Sequence, residues 1–151
     1  SPMRSVTVSP AAQVVLDPNA WSADGTRAWA GGEWSKDGRY LAYGISVAGS
    51  DWSEWQVLDL AKLEPVGGKL SWIKFSGASW KPDASGFFYA RYAEPAPGSA
   101  FQASNLDHKI YFHRIGSQQA EDTLVYERPD HPEWSFAPLA TRDGQHLVVH
   151  I

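Results

Sequence analysis

The stretch Trp34-Ser35-Lys36-Asp37-Gly38-Arg39-Tyr40-Leu41-Ala42-Tyr43 reads as the end of one strand, a tight turn and the start of the next. Asp-Gly suits such a turn, because Gly takes positive φ without a Cβ penalty and Asp tolerates left-handed backbone. The pattern returns in Trp80-Lys81-Pro82-Asp83-Ala84-Ser85-Gly86-Phe87-Phe88-Tyr89 and in Ala140-Thr141-Arg142-Asp143-Gly144-Gln145-His146-Leu147-Val148-Val149. The middle copy carries two further residues before its glycine, which predicts a wider loop there. The three aspartates stand 46 and then 60 residues apart. A four-stranded propeller blade takes about 40–45 residues, so the first interval is one blade and the second is one blade plus an insertion. Residues 93–105 (AEPAPGSAFQASN) supply that insertion. They are aperiodic, rich in Pro, Ala, Ser and Gly, and read as a mobile loop.

Working outward from these anchors, strands are predicted at 27–34, 39–46, 54–60 and 64–70. A second unit follows with 71–80, 87–92, 108–115 and 122–127, and a third opens with 133–140 and 145–151. Residues 13–16 (QVVL) give one more strand ahead of the first unit. Apolar residues alternate or run in short blocks, and no stretch carries the 3.6-residue period of an amphipathic helix. The expected fold is all-β: a partial β-propeller of about two and a half four-stranded antiparallel blades, near 27–70, 71–127 and 133–151. Closed propellers need about four or more blades, and an open arc leaves a sheet edge unpaired. Residues 1–151 are therefore expected to be a fragment of a single propeller domain.

Composition narrows the function. The 151 residues are 43% hydrophobic and 20% charged, enough to bury a core, and the 8 Trp are expected mostly to fill space between blades. A net charge of −4 argues against a nucleic-acid surface. The short apolar runs argue against a membrane span, and without Cys there is neither a disulfide nor a thiolate site. His146 and His150 share one face of a strand, but the strand rise of about 3.3 Å per residue sets them more than about 10 Å apart, too far for one ion. His108 and His113 fall on opposite strand faces. No metal or cofactor is expected. Ser22–Trp29 narrowly misses a sialidase Asp-box, a likeness that reflects shared turn chemistry.

An ordered series of segments then resembles the prolyl oligopeptidase family. It begins with Leu16-Asp17-Pro18-Asn19 and Ser22-Ala23-Asp24-Gly25-Thr26, and continues through Ser35–Gly44 and Gly49-Ser50-Asp51-Trp52. Trp72-Ile73-Lys74-Phe75-Ser76, Phe88-Tyr89-Ala90-Arg91-Tyr92 and Asn105–His113 carry it onward to Glu121–Glu127 and Pro132-Glu133-Trp134. The resemblance implies a seven-bladed propeller over an α/β-hydrolase domain that cleaves short peptides after proline with a Ser-Asp-His triad. It implies as partners that hydrolase domain and an oligopeptide substrate, in a monomeric parent that is cytoplasmic or, alternatively, periplasmic. Phe75 matches a family phenylalanine that packs on the substrate residue two before the proline. Tyr92 matches a tyrosine at the boundary between propeller and hydrolase, and Asn105 closes the 93–105 loop, which aligns with a gating loop. Blade packing is the competing reading for both aromatics, and a surface insertion for the loop.

The triad itself is not expected in this chain. The hydrolase elbow is Gly-x-Ser-x-Gly between a strand and a helix, and no such pentapeptide occurs: Gly44-Ile45-Ser46 runs into Val47-Ala48, and Gly77-Ala78-Ser79 into Trp80-Lys81. A rival to the peptidase reading is a non-enzymatic TolB-like propeller module that binds a peptide or protein, since such propellers use the same Ser-x-Asp-Gly turns.

Overall fold

All three Asp-centred turns close hairpins, and all three are the same length. In a computed structural model, which describes residues 27–47, 50–96 and 105–151, the Ser35 N–H donates to the Tyr40 carbonyl at 2.9 Å and Gly38 N–H to Ser35 at 3.0 Å. Lys81, Gly86 and Ala84 repeat this pair of bonds at 3.0 Å each, as do Thr141, His146 and Gly144. The middle loop is thus no wider than the others, contrary to the count of residues before its glycine. Ala84 occupies the position of Gly38 and Gly144, with φ of 59° against 73° and 71°. Gly86 is instead the first residue of a strand, where a Cβ would lie 2.1 Å from the His113 carbonyl oxygen.

The aspartates contribute through their side chains. Asp37 accepts the Ser35 hydroxyl at 2.6 Å and the Arg39 N–H at 3.0 Å; Asp143 accepts Thr141 and Gln145 in the same way. Lys81 has no hydroxyl to offer, and Ser85 supplies both bonds to Asp83. These bonds, the hydroxyl contact foremost, hold all three carboxyls below the usual aspartate range.

The turns join antiparallel sheets in meander order. The first comprises β1 (Arg27–Trp34), β2 (Tyr40–Val47), β3 (Ser53–Asp59) and β4 (Glu64–Ile73). The second comprises β5 (Ser79–Trp80), β6 (Gly86–Arg91), β7 (Lys109–Arg114) and β8 (Thr123–Tyr126), and β9 (Ala137–Ala140) pairs with β10 (Leu147–His150). This is the expected two and a half sheets. One boundary moves: β4 runs through Ile73, and β5 is only two residues long, so 71–80 is not one strand. Register shifts between β3 and β4 at Trp55/Val57 and Ser53/Trp55 absorb extra β4 residues and break the alternation that would have marked the strand. The strand predicted at 13–16 and residues 97–104 of the 93–105 loop lie outside the described residues.

Sheet-on-sheet packing forms the core. Ala42, Trp55, Val57, Leu70 and Ile73 of the first sheet meet Trp80, Phe87 and Tyr89 of the second. Ala90 and Ile110 meet Phe136, Leu147 and Val149 on the other side. Of the tryptophans, Trp52, Trp55 and Trp80 are buried as expected. Trp29 and Trp34 are not, being on β1 with large exposed areas.

Polar ties span the first two sheets at both their inner and outer edges. The Trp80 indole donates to the Glu33 carbonyl at 2.9 Å, joining the inner strands β5 and β1. At the outer edge the Gln119 amide bridges β4 like a strand: its oxygen accepts the Ser71 N–H at 3.1 Å and its nitrogen donates to the Ser71 carbonyl at 3.0 Å. Gln119, in a short 3-10 turn (Gln119–Glu121), also donates to the Tyr89 hydroxyl at 3.2 Å. That hydroxyl donates to Asp122, whose other oxygen is 2.7 Å from His113 Nδ1. Burial first, then the Asp122 contact, pushes the Tyr89 phenol well above its usual pKa.

Two substitutions separate the jobs of the middle turn. Ala84→Gly relieves a left-handed alanine and is expected to raise stability by up to about 1 kcal/mol. Gly86→Ala drives a methyl into backbone and is expected to cost about 3 kcal/mol or more. Urea denaturation midpoints of the two variants should move in opposite directions.

Candidate functional site

Phe75, Tyr92 and Asn105 converge on one rim of the sheets. Four strands bring the chain back to the rim where each sheet began, so the crossover of residues 74–78 leaves from the same end as the approaches to β3 and β7. Two bulky aromatics take left-handed backbone here. Trp72 and Phe75 have φ of 63° and 59°, which costs a bulky L residue about 1–2 kcal/mol each.

The strained segment is pinned along its length, the Ser53 hydroxyl donating to the Ile73 carbonyl at 3.3 Å. The Trp72 carbonyl accepts the Tyr92 N–H at 3.0 Å. Lys74 Nζ lies 3.9 Å from the centre of the Trp52 ring and donates to Asn105 Oδ1 at 3.1 Å. The Ser76 hydroxyl accepts the Ala90 N–H at 2.9 Å. Phe75 stands outside these ties with 57% of its surface exposed. It borders a groove of about 460 Å³ that runs between the inner strands past Trp34, Ala78 and Leu139. An exposed aromatic on a backbone that cannot relax is suited to stacking on an apolar ligand side chain.

Tyr92 has a different setting. It is 4% exposed, stacks on His108 with ring centres 4.5 Å apart, and meets Trp52 edge-on at 6.2 Å. Burial raises its phenol pKa. Asn105 is exposed at the edge and reaches the site through Lys74. Sequence reasoning missed Lys74 and Trp52 as partners. A lone lysine in a turn carries no pattern, and Trp52 was visible only as part of the resemblance.

His108 and His113 do lie on opposite faces of the second sheet. His113 packs on Phe87 toward the first sheet, and His108 on Phe136 toward the third. His108 Nδ1 accepts the Phe136 N–H at 2.8 Å, which puts the ring proton on Nε2. Nε2 is buried without a hydrogen-bond partner among the described residues. Burial lowers the pKa of this histidine to about 4, with the Lys74 backbone working weakly the other way. Among the described residues no three His, Asp and Glu side chains gather as a metal site, and no helix is long and apolar enough to cross a membrane.

Residues 2–151 match the family described as the prolyl oligopeptidase N-terminal β-propeller domain. The chain belongs to that family. Prolyl oligopeptidase A of Galerina marginata is 38% identical over 152 residues, covering 90% of this chain and 21% of that protein. A prolyl endopeptidase structure superposes with a TM-score of 0.79 at 31% identity, over 97% of this chain and 20% of that one. Prolyl oligopeptidase B from Galerina marginata, solved with a 25mer macrocyclization substrate bound, gives a TM-score of 0.76 at 30% identity, over 88% of this chain and 20% of that one. The chain thus spans about a fifth of the length of the relatives it matches. Within this prolyl oligopeptidase propeller, the strained rim around Phe75 is the candidate site.

The buried His108 makes that rim sensitive to acid. Its pKa of about 4 in the folded chain lies below the ordinary 6.5, so between these values the unfolded chain binds a proton that the folded one refuses. Stability is then lost as pH falls through that window, at up to about 1.4 kcal/mol per pH unit. His108→Asn removes the titration and keeps a polar side chain at the site. The loss of denaturation free energy from pH 7 to pH 5 should be larger in the parent than in this variant.

Proposed function

We propose that these residues form the N-terminal part of the propeller of a serine peptidase that cleaves short peptides on the carboxyl side of proline. In this reading an α/β-hydrolase domain elsewhere in the protein supplies the Ser-Asp-His triad, and the propeller limits access to it. The rim holding Phe75, Tyr92 and Asn105 faces that domain. Phe75 offers its ring to the substrate residue two before the proline, and the 93–105 loop gates entry. The observation that carries the proposal is the exposed, left-handed Phe75. A bulky side chain held in solvent at a conformational cost has no packing purpose of its own, and function is the usual reason such strain persists. Membership of a peptidase family supplies the substrate class.

Two measurements test this. The 151 residues alone should not hydrolyse a proline-linked chromogenic peptide; turnover blocked by a serine-directed reagent would refute the division of labour. In the full-length protein, Phe75→Ala should raise KM about fivefold or more for a peptide with an apolar residue two before the proline, with kcat nearly constant. An unaltered KM would remove Phe75 from the substrate site.

A further inference from the structure

We infer that Lys74 is the positioning residue that fixes Phe75 for its ligand. The inference rests on the reading of Phe75 given above and adds a residue to which nothing in the family description assigns a part. Residues 72–76 contain two left-handed aromatics, Trp72 and Phe75, and a segment in that state reverts to extended backbone unless its surroundings forbid it. The pins at Trp72 and Ser76 are hydrogen bonds to the chain at Tyr92 and Ala90, both from the end of β6 and its continuation. They fix the ends of the segment. Between them Ile73 is buried and its carbonyl accepts the Ser53 hydroxyl at 3.3 Å, and Lys74 is the residue whose side chain holds the segment immediately before Phe75.

The way Lys74 is held explains why a lysine serves here. Its stem crosses from the turn to Trp52, where the ammonium sits on the ring face at 3.9 Å, and one N–H reaches Asn105 Oδ1 at 3.1 Å. Trp52 is itself buried and braced edge-on by Trp72 at 5.5 Å and Tyr92 at 6.2 Å, so the cation rests on a rigid platform. A cation on an indole face is attracted by the ring quadrupole. A neutral chain of equal length keeps the apolar contact and loses both the quadrupole attraction and the donor. Since successive side chains around a turn point in different directions, anchoring residue 74 inward on Trp52 obliges residue 75 to point away from that platform.

The test uses the full-length protein and two chromogenic peptides ending in proline, one with phenylalanine and one with glycine two residues before it. The quantity read is the ratio of their kcat/KM values. Lys74→Met should lower the preference for the phenylalanine peptide about fivefold, equivalent to about 1 kcal/mol, and Lys74→Arg should restore most of it. Phe75→Ala should lower the same ratio, and Lys74→Met added to Phe75→Ala should lower it no further. If Phe75→Ala lowers the ratio and Lys74→Met leaves it intact, the positioning role is overturned while the reading of Phe75 stands. If Phe75→Ala itself leaves the ratio intact, that reading fails and the role of Lys74 with it. Equal loss on both peptides in Lys74→Met, without rescue by arginine, would mark a general structural defect and also overturn the inference.

Discussion

An antiparallel sheet of four strands must end on the rim where it began, and this parity governs the rest of the molecule. Hairpins β1–β2, β3–β4, β5–β6, β7–β8 and β9–β10 all fall on one rim, where the turns at 35–40, 81–86 and 141–146 have one geometry. The other rim receives the approaches to β3 and β7, together with the crossovers that carry the chain from an outer strand to the next inner one. Crossovers have to traverse the width of a sheet, so they cannot be tight turns. The crossover rim is also the rim with the long insertion, the left-handed aromatics Trp72 and Phe75, and the exposed ring of the latter.

Such an arrangement works only if neighbouring sheets are locked together, since each sheet has two faces to bury. Within a sheet, glycine makes room for a large ring to lie flat on its neighbour strand. At Gly44 a Cβ would lie 2.4 Å from the Trp55 ring, which covers its cross-strand partner. Gly86 does the same for backbone. The outer edges are then joined by Gln119, whose amide satisfies both Ser71 backbone groups where no strand is available to do so. Asp122 and His113 complete the network with both side chains fully buried. Buried polar groups of this kind are tolerated when they find partners, and here the partners come from β4, β6 and β7, while His113 Nε2 has none among the described residues. The network thus sets how the second sheet meets the first.

Much of this was legible in the residues. The Asp-Gly turns gave the repeat, and the repeat gave sheets of four strands whose limits agree with the structure to within a few residues in most cases. Where the reading failed, a second physical demand had displaced the first. Asp83-Ala84-Ser85-Gly86 was read as a wide loop because glycine was assigned to the turn; steric contact with His113 had claimed it for the strand, leaving Ala84 in the left-handed position. The end of β4 was hidden by bulges that shift its alternation between Val66 and Ile73. Phe75 and Tyr92 were reached through family resemblance, and periodicity alone would have left both as packing residues. Lys74 could not be found at all, because its partners Trp52 and Asn105 meet it through the fold and share no period with it in the chain.

Strain at the rim connects these observations. Trp72 and Phe75 together forgo about 2–4 kcal/mol in backbone preference, a substantial amount for a chain whose net stability is expected to be near 10 kcal/mol. The two differ in what they receive for it. Trp72 gains ring contact with the buried Trp52 and a hydrogen bond from Tyr92. The Phe75 ring stays more than half exposed, and substitution by glycine at that position would relieve the backbone at a smaller loss of buried surface than at Trp72. Folding therefore gives little reason for an aromatic there. The reason is to be sought in what the ring meets beyond the described residues, which is where the proposed function puts the substrate.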